Sequence, residues 1–139
     1  MSVRLLPRIT VDLPQLLDAL LAYPGLVVKP RPKVDSLSRL PLLGHIGGNG
    51  HLVRNGFPGA GWEWTLFLTV WTADIDRADD LVDTIYQLVH GMEGRSVDGL
   101  GGVTTVEDVS MFDQIATATL QDKRVAQYDA TFTIVVIPA

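Results

Sequence analysis

The chain has no cysteine. Disulfides, thiolate metal ligands and cysteine nucleophiles are therefore excluded, and the fold must hold by packing. Histidine is scarce: His45, His51 and His90 are the three present. None stands in an H-E-x-x-H or comparable metal spacing. No apolar run approaches the ~20 residues that span a bilayer. The opening M-S-V-R-L-L-P-R-I-T-V-D has too short an apolar core for a signal peptide, so a soluble, unexported protein is expected. The phosphate-cradling patterns G-x-G-x-x-G and G-x-x-x-x-G-K-[ST] are missing, as is the G-x-S-x-G nucleophile elbow. The formal charge is −5, which argues against a general nucleic-acid binder.

What is present fits one globular domain, residues 1–139. Apolar residues make up 47% and charged residues 19%, a composition that builds a core and does not stay disordered. A chain of this length buries about two-thirds of its unfolded surface. Charge is segregated along it. Residues 1–60 hold seven Lys or Arg against three Asp, and residues 61–139 hold four against thirteen acidic groups. Such a split predicts either separate solvated faces or a basic side and an acidic side that meet head to tail between copies.

The stretch 61–91 organises the rest. Trp62, Trp64, Leu66, Leu68 and Val70 alternate with Glu63, Thr65, Phe67, Thr69 and Trp71, the two-residue period of a strand. From Asp74 the period changes. Ala78, Leu81, Val82, Ile85, Leu88, Val89 and Met92 recur three and four apart, one face of an amphipathic helix. The carboxylates Asp74, Asp76, Asp79, Asp80 and Asp83 crowd its first turns, where they complement the helix dipole and Asp74 or Asp76 caps. A divalent-metal reading of that cluster is weaker, because the spacing is not an EF-hand loop.

Upstream, residues 1–9 lack a period and read as a flexible arm. Asp12 is placed as an N-cap, with Gln15 three residues on, Pro14 in the first turn and Val11 with Leu16 as a hydrophobic staple. Leu13, Leu16, Leu17, Leu20 and Leu21 form one stripe, ended by Tyr23-Pro24-Gly25. Residues 26–29 predict a short strand stopped by Pro30 and Pro32, and 40–46 a second. Residues 44–61 carry seven of the thirteen glycines, and Asn55-Gly56 is a hairpin signal. A long loop or protruding hairpin that binds a partner is expected there.

Downstream, 91–102 predicts a second Gly-rich loop and 103–109 a strand. Residues 110–122 are ambiguous. Residues 124–137 read as a closing strand, with Ala126, Tyr128, Ala130, Phe132, Ile134 and Val136 on one face. The fold predicted is α+β in two layers, an antiparallel or mixed sheet with two helices packed on one face.

No catalytic arrangement is evident, and the chain is expected not to be an enzyme, with no cofactor and no metal. His45 and His51 read as loop histidines bonded locally or facing water. Ser96 in G-R-S-V-D, and Glu107-Asp108 with Asp113, carry no mark of a nucleophile or an acid–base pair. Trp62 and Trp64 are expected under the helices. Trp71 falls on the opposite face, a candidate interface anchor.

Taken in order, the leucine-striped helix, the basic Pro-containing strand exit, the Gly-rich segment, W-E-W-T-L-F-L-T-V-W-T-A-D-I-D-R-A-D-D-L-V-D-T-I-Y-Q-L-V-H-G, then V-T-T-V-E-D-V and Y-D-A-T-F-T-I-V-V, resemble the tail terminator (tail-completion, minor tail) family of long-tailed bacteriophages. The resemblance spans roughly residues 12–137 in layout. It implies a structural virion protein of the tail and neck, assembled in the host cytoplasm. Such proteins form a ring, usually a hexamer, that caps the tail tube, ends its polymerisation and joins the tail to the head. The partners implied are other copies of the chain, the major tail tube protein and the head–tail connector, with genomic DNA passing through unbound and no membrane. The acidic excess would suit a lumen that DNA traverses. Candidate contact residues are Lys29, Arg31, Lys33, Arg54, Trp71, Asp74 and Asp76. A head-closure or connector subunit is the alternative nearest in class; a small ligand-binding or enzymatic α+β domain is the more distant one.

Overall fold

A computed structural model describes residues 11–31, 40–54, 60–120 and 123–138. The elements run α1 (Leu13–Leu20), β1 (Val27–Pro30), β2 (Leu42–Arg54), β3 (Ala60–Thr72), α2 (Ala78–His90), β4 (Ser96–Val97), β5 (Gly101–Leu120) and β6 (Lys123–Ile137), with a 3-10 turn at Ile75–Arg77 before α2. The fold is α+β, with more strand than helix. The six strands form one curled mixed sheet in the order β1-β2-β3-β6-β5-β4. Among the strand pairs of the described residues, only β1–β2 is parallel.

Strand β3 is central, as its alternation predicts. Its even-numbered residues are buried through Leu66, Leu68, Val70 and Thr72. They meet Phe132, Ala130, Tyr128 and Ala126 of β6 in antiparallel register. Leucines of α1 and Ala78, Ile85 and Val89 of α2 join the same cluster, so both helices bury their apolar stripes against that side of the sheet. Helix α1 begins as the sequence predicts. The Asp12 carboxylate accepts the Gln15 backbone N–H at 3.2 Å, and Pro14 occupies the first turn, where a missing donor costs nothing.

For the Gly-rich stretch 44–61 the hairpin alternative holds and the long loop does not: β2 runs to Arg54, β3 starts at Ala60 and the two pair antiparallel. Gly47 and Gly50 serve packing. A Cβ at Gly50 would meet the Trp64 ring at 2.6 Å, and one at Gly47 would land on the Leu13 side chain. The Asn55-Gly56 hairpin signal lies outside the described residues, as does the expected arm 1–9. The segment 91–102 holds a short strand, β4, paired to Gly101 and Gly102. The ambiguous segment 110–122 is mostly strand, because β5 continues to Leu120.

Candidate functional site

Chemistry in this chain would concentrate at the histidines. His45 is not a loop histidine. It sits in β2, 2% exposed, with Nε2 at 2.6 Å from Asp18 Oδ1 on α1. Burial of a polar ring demands a partner, and this one fastens helix to sheet. The side chain of His51 lies outside the described set. His90 belongs to a clasp between α2 and β5. Its Nε2 is 2.6 Å from Asp108 Oδ1, and the Tyr86 hydroxyl donates to Asp108 Oδ2 at 2.6 Å. Tyr86 and His90 stand one helical turn apart, ring centroids 4.7 Å, and both rest against Phe132.

The clasp shapes two titrations. The bond from Tyr86 holds the Asp108 carboxyl below its ordinary range; desolvation opposes it, and the bond and charge of His90 add to the lowering. The same bond, with desolvation and the Asp108 charge, raises the Tyr86 phenol above its usual 10.0. A lowered carboxyl stabilises the fold above the ordinary carboxylate range, and that contribution is lost as pH falls through the lowered value. A raised phenol stabilises below its ordinary value and is lost as pH rises through the folded one. Asp108→Asn should therefore lower the urea midpoint at neutral pH, and the difference from wild type should shrink in acid and in strong alkali. A difference that stays constant across pH would show that the charge of Asp108 plays no part in the clasp.

Among the described residues no group of three His, Asp or Glu is arranged to hold a metal ion. No described helix is long and apolar enough to cross a membrane. Asp108 is committed to Tyr86 and His90. Asp113 stands opposite Asp129 across the β5–β6 ladder, not beside Glu107. An open concavity of about 440 Å³ at the start of α1 is lined by Asp12, Arg31, His45 and Trp64 among others. Two of its polar groups have structural tasks: Asp12 caps the helix and His45 binds Asp18.

Surface properties are more telling. Beyond Val106 the outer side of β5 has no neighbouring strand among the described residues; β4 pairs with Gly101 and Gly102, and the segment 93–95 bonds Val103 and Val106. Along that edge Val109, Met111 and Ile115 are 62%, 56% and 53% exposed. Three exposed apolar side chains thus stand along one open edge, where monomeric surfaces usually scatter them singly. A groove of about 430 Å³ opens between this strand and α2. Val82, Tyr86, Phe112 and Tyr128 line it, with Met111 at its lip and Asp79, Asp80 and Asp83 along its rim.

The residues singled out in the sequence do not gather in one place. Lys29 is half-buried in β1, and Arg31 follows it, exposed, with φ 44° and its N–H bonded to the His45 carbonyl at 3.1 Å. Lys33 lies outside the described residues, and so does the side chain of Arg54 at the end of β2. Trp71 occupies the sheet face away from the helices, the face that also exposes Ile46 and Phe67. Asp74 caps the 3-10 turn, accepting the Arg77 N–H at 3.3 Å, and Asp76 is exposed in that turn. The open β5 edge had no place among the sequence candidates. Its signal was the alternation in 110–120, which bulges obscure.

No protein family matches the chain, and no curated protein does. Among solved structures, a similar chain occurs in one described as the virion of a native gene transfer agent (GTA) particle. The two chains are 15% identical with a TM-score of 0.40, and the match covers 87% of this chain and 84% of that one.

Proposed function

We propose that this chain is a structural virion protein, a tail terminator. Copies form a ring, a hexamer in this reading, that caps the tail tube, ends its growth and joins the tail to the head connector while DNA passes through. It is not an enzyme and takes no cofactor; its place is the neck of the particle. The observation that carries the reading is the open, apolar-lined edge of β5, an unsatisfied strand flank on a small, otherwise well-packed domain. The family resemblance of the sequence supports it, as does the charge split. A ring needs two unlike surfaces on each subunit. Lys29, Arg31, Lys33, Arg54, Trp71, Asp74 and Asp76 are proposed as contact residues on those surfaces.

The test is binding to isolated tail tubes. Electron microscopy should find one ring of this protein at one end of each tube, and tubes so capped should stop elongating. Tubes left bare at tens of micromolar protein (Kd weaker than about 10⁻⁵ M), or capture by portal complexes alone, would overturn the reading.

A further inference from the structure

Within that ring reading, we infer that the groove between α2 and β5 receives the β1 end of a second copy of this chain. Lys29 and Arg31 of that copy face Asp79, Asp80 and Asp83.

Three observations combine. The first is topological. Strands β1 and β5 lie on opposite sides of the sheet order, with β2, β3 and β6 between them. A contact from one to the other leaves the same pair of surfaces free on the outer copies, so it repeats head to tail. The second is chemical. The groove joins an apolar floor, Val82 and Phe112 with Tyr128, to an acidic rim. Lysine and arginine present a matching pair of properties, an apolar stem and a cationic head. Their stems would cover the exposed Met111 while their heads reach the carboxylates. The third is the charge ledger within one copy. Among the described residues no cation pairs with Asp79, Asp80 or Asp83, and no carboxylate pairs with Lys29 or Arg31. Nucleic acid would be repelled by the rim, and a neutral apolar segment would leave it unanswered.

The missing cysteines make a clean test possible. Two separate proteins, Pro30→Cys and Met111→Cys, each carry a single thiol and keep every charge named above. Both positions are exposed. Mixed and oxidised at ~1 mM, a concentration that populates even a weak contact, they should give the mixed disulfide dimer in about tenfold excess over either like-with-like dimer, the ratio a contact preference of about 1.4 kcal/mol produces. Reversing charge on one side, Asp79→Lys with Asp83→Lys in the Met111→Cys protein, should cut the mixed product about tenfold. Adding Lys29→Glu and Arg31→Glu to the other protein should restore it. Circular dichroism of each variant checks that it folds. Predominance of like-with-like dimers, absence of any cross-link, or no rescue by the double reversal would overturn the inference. Its failure is separable from that of the ring reading. Tube capping without the mixed disulfide sinks the groove assignment alone, and the mixed disulfide without tube capping sinks the terminator reading alone.

Discussion

Phe132→Ala should lower the stability of the domain by about 3–5 kcal/mol, the cost of truncating a fully buried aromatic. Phe132 is 0% exposed and sits where the layers meet. On β6 it pairs with Leu66 of β3 and Asp108 of β5. Its ring lies 6.2 Å from Tyr86, 6.1 Å from His90 and 6.1 Å from Phe112. Removing it opens a cavity under α2 and withdraws the floor on which the Tyr86–His90–Asp108 clasp rests. Small domains have only about 5–15 kcal/mol in total, so this one substitution should remove a substantial share of the stability. The measurement is a urea titration followed by tryptophan fluorescence. A loss below about 1 kcal/mol, the range of a surface change, would mean that α2 is not packed on β6 in this way.

Asp18→Ala is the second large effect. It removes little mass from a half-exposed site, yet it strands His45, whose side chain is 1% exposed. An unsatisfied buried polar group costs about 1–3 kcal/mol, and that is the expected drop. The asymmetry of such pairs gives a sharper check. Replacing both partners, Asp18→Ala with His45→Leu, should recover most of the loss, because an apolar side chain needs no bond in a site that Leu13 and Leu17 also line. If the double variant is no better than the single one, Asp18 holds α1 through something other than the histidine.

Much of the fold is legible in the residues, and the failures have physical causes. The cap of α1 is local chemistry three residues long, so Asp12 and Gln15 reveal it. The alternation of β3 and β6 is clean because helices cover one face and leave the other open. At residues 44–54 the loop alternative misled because glycine ordinarily signals a turn. Here the absence of a side chain makes room for Leu13 and Trp64, partners remote in sequence. Strand β5 blurred after Val109 because its pairing with β6 slips between Asp108 and Ser110, Ser110 and Asp113, and Gln114 and Ala116. Each slip resets the two-residue period. The clasp was half visible: Tyr86 and His90 share a helix face, but Asp108 lies 18 residues beyond His90. The same holds for His45, whose partner is 27 residues upstream. Lys29 and Arg31 could be picked out by charge alone, whereas the groove that would answer them exists only once α2 lies beside β5.

The slips in β5 also limit what can grow on it. A straight, regular flank invites one strand after another, and such growth has no natural end. Where backbone drops out of the ladder every few residues, a visiting strand finds no long unbroken row of donors and acceptors. Accretion along the edge is thereby confined to short stretches, and side-chain fit decides what stays. A particle that must stop at a fixed number of copies gains from that irregularity, since it favours a count that closes over a fibre that does not.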